Sequence, residues 1–373
     1  MQNKRGNMKK IFFVIVLGFC IWGGIRFFYR NPYHDKAAQM IMVGFNGFSL
    51  TAENPIYHDI KDNHIGGVIL FNHQHWDRSD KRNINNYNQL KTLISQLNQV
   101  SQIPLFIAVD QEGGQVVALS PEFGVSNYSA GELGRKNDLV LTEREAYKTA
   151  KVLKDLGINV NFAPCVDITL NPNSIIKFKD RAFSDNDPQI VVSHAEKFIE
   201  AYQNERVLPV LKHFPGHGSA TGDTHEGYVD ITNEYQSVEL DPYKLLLREY
   251  PNIGVMVAHV FDKNVDAEKP LSLSYKNVTQ KLKEELNFKG VVFSDDLQMG
   301  ALTQKHSWHD IVVEAINAGN DVLVIGNNLS YDPDIADKTL KVILKALEDG
   351  EIKPERIDQA YGRIMQVKNN LSF

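Results

Sequence analysis

The sequence predicts an α/β protein, a (β/α)8 barrel of the TIM type, preceded by an N-terminal hydrophobic helix. Three observations carry this expectation. Eight short apolar runs recur from residue 37 onward, amphipathic helical patterns lie between many of them, and most runs end in polar or charged residues. Continuous apolar runs without alternation suit strands buried on both faces, as in a parallel sheet. An open doubly wound sheet would also gather ligands at strand ends. Eight strands alternating with helices favour the barrel.

The runs, in order, are MIMVGF (40–45), GVILFN (67–72), LFIAVD (105–110), INVNFAP (158–164), LPVLKH (208–213), GVMVAH (254–259), VVFSDD (291–296) and DVLVIG (321–326). Among the helices, EREAYKTAKVLKDLG (143–157) closes on Gly157. DPQIVVSHAEKFIEAYQ (187–203) follows the same pattern, and WHDIVVEAINAG (308–319) closes on Gly319. The Asn-rich stretch 82–99 reads as a solvated helix and its approach. Residues 31–373 are expected to form one catalytic domain, without an internal repeat beyond the strand–helix alternation and without a low-complexity tract.

Residues 1–30 are different in kind. Lys4, Arg5, Lys9 and Lys10 precede IFFVIVLGFCIWGGI, and no acidic residue occurs before Asp35. A basic flank followed by a short apolar run is an export signal. The basic side stays in the cytoplasm and the rest lies outside. The run is short for a spanning helix, which wants about 20 residues, but Phe27, Phe28 and Tyr29 extend it and Arg26 can snorkel. An uncleaved inner-membrane anchor is favoured over a secreted form, because no small-x-small cleavage site follows. Lipidation at Cys20 is disfavoured by the bulky Phe19.

The chain has 373 residues with a hydrophobic content of 43% and a formal charge of −6. That length supports a substantial core, and the charge argues against a nucleic-acid partner. The two cysteines, Cys20 and Cys165, give no disulfide framework.

Chemistry concentrates at the ends of the runs: Asp110, Lys212, His213, His259, Asp295 and Asp296. Asp295 and Asp296 could be metal ligands, a nucleophile with a neighbour, or a helix cap; strand alternation would send them to opposite faces. Asp110, followed by Gly113 and Gly114, suits sugar hydroxyls or an ordinary turn. Arg181, in FKDRAFSDNDP, means little alone. KHFPGHGSATGDTH (212–225) is the most informative segment, because Pro215, Gly216 and Gly218 force a loop after a strand. In that loop Asp223 can accept the ring N–H of His225 and fix its tautomer. Acid/base work leads here, with a metal site on His213, His217 and His225 second.

With these residues collected, the chain resembles glycoside hydrolase family 3, most closely its single-domain bacterial β-N-acetylglucosaminidases. AAQMIMVGF, VDQEGGQV, DRAFS, KHFPGHG with DTH, EKPLSLS and VVFSDDLQM occur in the family's order. The resemblance implies a retaining mechanism through a covalent glycosyl-enzyme. Asp295 matches the nucleophile, His225 the acid/base and Asp223 its support. Asp110, Arg181, Lys212 and His213 match substrate-binding positions. No cofactor and no metal are implied. Lys212 or Arg181 is expected to keep Asp295 ionised. One departure stands out: close relatives often carry arginines where this chain has Gln115 and Ala118, and His73, His75 or Trp76 could compensate for the sugar-binding arginine missing at Ala118.

The expected function is exo-hydrolysis of terminal N-acetylglucosamine from peptidoglycan- or chitin-derived fragments outside the inner membrane. Alternatives are another family 3 β-glycosidase, a phosphorolytic variant, or a retired, membrane-tethered glycan-binding protein.

Overall fold

The computed structural model describes residues 31–74 and 79–371. The expected N-terminal anchor, Cys20, His75 and Trp76 lie outside the described residues. Among those described, no helix is long and apolar enough to cross a membrane.

Eight parallel strands form the core: β1 (Ile41–Gly44), β2 (Gly67–Ile69), β3 (Phe106–Val109), β4 (Val160–Asn161), β5 (Leu208–Phe214), β6 (Gly254–Val257), β7 (Val291–Ser294) and β8 (Leu323–Ile325). Each coincides with one of the eight apolar runs, β5 reaching one residue past its run to Phe214. The ladder runs β8-β1-β2-β3-β4-β5-β6-β7. A parallel bridge between Phe293 and Val322 joins β7 to β8 and closes the ring. A closed ring has no edge strand, so every strand is buried and reads as an apolar run.

The barrel is filled, not hollow. Phe293 meets Phe162 edge-on at 5.5 Å between centroids and lies 6.1 Å from Phe106. Helices ring the outside. Leu139–Leu156 ends on Gly157 and Trp308–Ala318 on Gly319, both with positive φ and with their N–H groups bonded to the last turn. Pro188–Asn204 begins with Asp187 as its cap. The Asn-rich segment forms the helix Tyr87–Val100, but it is more than solvated: Leu90, Leu93, Ile94 and Leu97 make a buried stripe. The sequence impression came from its polar face.

At the N-terminal end of the barrel, buried polar and charged side chains tie the last helices to the strand starts. Lys368, on the last helix Pro354–Leu371, donates to Gln39 Oε1 and Gly66 O, both at 2.7 Å. Asp321 receives Lys283 at 3.0 Å and Arg356 at 2.7 Å. Chemistry is therefore left to the opposite rim, where the strands end.

Candidate active site

Six of the seven residues singled out for the site line one cavity of about 230 Å³ at the C-terminal rim: Asp110, Arg181, Lys212, His213, His225 and Asp295. Asp223 lines a narrow recess that shares His225, Asp295 and Arg181 with it. They arrive from several strand ends and loops, which is how a barrel mouth assembles a site.

β5 contributes two consecutive residues because its pairing with β6 slips between Leu211 and Phe214. An irregularity of this kind re-aims side chains that alternation would send apart. Lys212 donates to Asp110 at 2.6 Å and lies 2.7 Å from Glu112. Arg181 donates through Nε and a terminal nitrogen to the two oxygens of Glu112, at 2.9 and 2.7 Å. Its terminal nitrogen also lies 3.1 Å from His213 Nε2. Glu112 is the anchor of this network. Burial pushes its carboxyl up, but Arg181 and Lys212 outweigh that and hold it at about 2.

Glu112 was not singled out from sequence, although it sits two residues after Asp110 in VDQEGGQ. Its signal was an acid inside a glycine-rich turn. Gly113 and Gly114, both with positive φ, turn the hairpin Gln111–Gly113 to Val116–Val117. Val116 of that hairpin faces the cavity. Ala118 is buried, and its N–H donates to Gln111 Oε1. Among the described residues of the 72–80 loop, none lines the cavity, so His73 does not compensate at this wall.

Asp167 is a second residue the sequence reading passed over. Fully buried, it accepts the ring Nδ1–H of His213 at 2.7 Å and the backbone N–H of His217 at 3.0 Å. Burial raises it, yet His213 draws it far below the carboxylate range. With Nδ1 committed, His213 presents Nε2 to the cavity. The three histidines considered as a metal set do not converge. Among the described residues, the side chains whose ligand atoms lie within 4.8 Å of one another are Cys165, Asp167 and His213. Asp167 already bonds both of the others.

His225 is held from its own loop. Asp223 Oδ1 lies 2.7 Å from His225 Nδ1 and accepts its backbone N–H at 3.0 Å. Burial lowers the imidazole, but the bond to Asp223 and the charge of Asp295 outweigh it, so its pKa rises above the ordinary value. Asp223 is held far below the carboxylate range, first by the His225 bond. Glu239 fixes the base of the loop, accepting from the N–H groups of Gly218 and Ser219 at 2.9 and 3.1 Å.

Asp295 lies where β7 ends. Burial raises its carboxyl, yet His259, His213 and His225 bring it below the ordinary value, aided by the N–H of Asp296. This corrects the expectation that Lys212 or Arg181 keeps Asp295 ionised: Glu112 and Asp110 already engage those two cations. His259 orients itself with Nδ1 2.7 Å from Ser272 Oγ and Nε2 3.0 Å from the Asp296 carbonyl.

Asp296 also departs from the expectation of opposite faces. β7 stops at Ser294, so alternation no longer applies, and both aspartates line the cavity. Asp296 accepts from Gly326 N at 2.9 Å and Gln298 N at 3.0 Å. Burial leads in raising it to about 6.

A family model described as the glycosyl hydrolase family 3 N-terminal domain matches residues 33–367. The chain belongs to glycosyl hydrolase family 3. It is 31% identical over 331 residues to beta-hexosaminidase A of Pseudoalteromonas piscicida, covering 82% of this chain and 54% of that protein. It is 30% identical over 346 residues to beta-hexosaminidase LpqI of Mycobacterium tuberculosis, covering 90% of this chain and 82% of that one. The family 3 beta-N-acetylglucosaminidase structure from Paenibacillus sp. str. FPU-7 superposes with a TM-score of 0.81 at 29% identity, over 92% of this chain and 63% of that one. This family 3 chain thus spans about half the length of the first relative and most of the second.

Proposed function

We propose that the chain is a retaining exo-β-N-acetylglucosaminidase. Asp295 attacks the anomeric carbon, and a covalent glycosyl-aspartate forms as the leaving oxygen takes a proton from His225. His225, now neutral, removes a proton from water, which attacks the anomeric carbon and releases Asp295. Asp110, Arg181, Lys212 and His213 hold the terminal sugar.

The observation that carries this reading is the pairing of opposite shifts in one cavity. Asp295 lies below its ordinary pKa and His225 above its own, which separates a nucleophile from an acid. Relatives named beta-hexosaminidase support the sugar class.

The substrate we propose is a peptidoglycan- or chitin-derived fragment met outside the inner membrane, with the basic and apolar N-terminus as the anchor. A neutral imidazole repels an anion less than a carboxylate would, so phosphate remains an alternative acceptor to water. Release of nitrophenol from its β-N-acetylglucosaminide by the full chain, with and without phosphate, tests the activity and the acceptor. Turnover lost in Asp295→Ala supports the reading, and phosphate acceleration with a sugar 1-phosphate product selects phosphorolysis. Folded protein that binds N-acetylglucosamine without turnover would replace the reading by a tethered glycan-binding module.

A further inference from the structure

Residues 224–228, which carry His225, rest along residues 300–305, and four contacts join the two segments. Thr224 O accepts the N–H of Ala301 at 3.1 Å, and His225 O accepts that of Gly300 at 3.2 Å. Gln304 Nε2 donates to Glu226 O at 2.8 Å. Lys305 Nζ stands 3.5 Å from the centroid of the Tyr228 ring, a cation–π distance. The fit is close at Gly300, where a Cβ would lie 3.0 Å from the carbonyl oxygens of both His225 and Glu226.

This resting place is tied to Asp295. The chain between Asp295 and Gly300 is held to the barrel: Leu297 N donates to Val324 O of β8, and Met299 N to Asp296 O, both at 3.0 Å. The side chains of Leu297 and Met299 are fully buried. The Asp223–His225 pair orients the imidazole within its own loop, but it does not set how far that loop stands from the nucleophile. The contacts with residues 300–305 do. Two of them are backbone bonds, and Gln304 adds a side-chain hydrogen bond to the residue next to His225.

We propose that Gln304 is a positioning residue for proton transfer: by holding the Glu226 carbonyl it keeps His225 at a fixed separation from Asp295. The inference rests on the glycosidase reading and deepens it by a residue outside the cavity. Gln304 lines neither the cavity nor the narrow recess, so it acts through the loop and not on the sugar. Proton transfer needs the donor within about 2.6–3.2 Å of the leaving oxygen. A loop released by a displacement on the order of 1 Å forfeits that reach, while Asp295, held on its own segment, keeps its place for attack.

The test compares two substrates on the full chain: the β-1,4-linked dimer of N-acetylglucosamine, whose leaving sugar needs the proton, and nitrophenyl β-N-acetylglucosaminide, whose leaving group needs little help. Gln304→Met keeps the length of the side chain and removes its donor. It should lower kcat/KM for the dimer about 3- to 10-fold, the range of one hydrogen bond, and leave the nitrophenyl value unchanged. Gln304→Lys, which returns a donor of similar reach, should recover the dimer rate. Equal losses on both substrates, an undiminished dimer rate in Gln304→Met, or no recovery in Gln304→Lys would overturn the role. Wild-type turnover of the nitrophenyl compound alone would overturn it too, since no proton would then be reaching the leaving oxygen. Wild-type protein that consumes neither substrate would instead remove the glycosidase reading itself, and the role of Gln304 with it.

Discussion

One oxygen of Asp223 receives both the ring Nδ1–H and the backbone N–H of His225, at 2.7 and 3.0 Å. The pair fixes which ring nitrogen is free and keeps the ring turned toward the cavity, although the side chain is 47% exposed. An acid on a loop is thereby given a defined direction while half exposed.

The pH profile of kcat/KM should be a bell. Its acid limb belongs to Asp295, which must be ionised and lies below its ordinary value; its alkaline limb belongs to His225, which must be protonated and lies above its own. Asp223→Asn removes the leading cause that raises His225, so the alkaline limb should move to lower pH while the acid limb stays. An unmoved alkaline limb would show that another group donates the proton.

His225→Ala should lower kcat about 10²- to 10⁴-fold on a disaccharide, the usual range for a general acid. The loss of the glycosylation step should be far smaller with a nitrophenyl leaving group, which needs little proton assistance. Parallel single-turnover measurements on the two substrates check this. Equal losses would mean that His225 acts through loop structure and not through its proton.

Glu112 is the stability prediction. Its side chain is 4% exposed and paired to Lys212, itself 3% exposed, and to Arg181. Removing it leaves two buried cations without their shared partner, which should destabilise by roughly 3–5 kcal/mol. Its folded pKa is depressed, so the stability it contributes is full above the ordinary value of 4.5 and is lost as pH falls toward about 2. Urea unfolding of Glu112→Gln and wild type should therefore differ clearly at pH 7 and converge as the pH is lowered. A constant difference would place the stabilisation elsewhere.

Gly218 should tolerate no side chain. A Cβ there would lie 1.7 Å from the Ile168 carbonyl oxygen. The loop between His217 and His225 would have to shift, and a displacement on the order of 1 Å can cost about 10²-fold in rate. Gly218→Ala should lose activity on that scale, read as kcat on the β-1,4-linked trimer of N-acetylglucosamine. Wild-type kcat would mean that the loop's register does not position His225.

These residues also show what a single sequence carries. The eight strands were legible because each is buried on both sides and therefore reads as an uninterrupted apolar run; even β4, with only two paired residues, left its mark in INVNFAP. Most of the cavity's members were legible because they stand at the ends of those runs or in the loop that Pro215 and the glycines enforce, whereas Arg181 entered only through the family resemblance. Apart from the local Asp223–His225 pair, their partnerships were not. Glu112 meets Arg181 across 69 positions, and Asp167 meets His213 across 46, and no local pattern reports such pairings. Arg181 and Lys212 were expected to serve Asp295 because nothing in the sequence said that Glu112 would engage them first. Asp296 was assigned to the far face because strand alternation was carried past the point where the strand stops.

The most direct measurement of the mechanism is to trap the intermediate. The full chain would be treated with 5-fluoro-N-acetylglucosaminyl fluoride, quenched with acid, digested and read by mass spectrometry. A covalent nucleophile at Asp295 predicts one glycosyl adduct, on the peptide containing that residue, and none in Asp295→Ala. An adduct on Asp296 or another residue, or unlabelled protein that turns over substrate with inversion at the anomeric carbon, would contradict it.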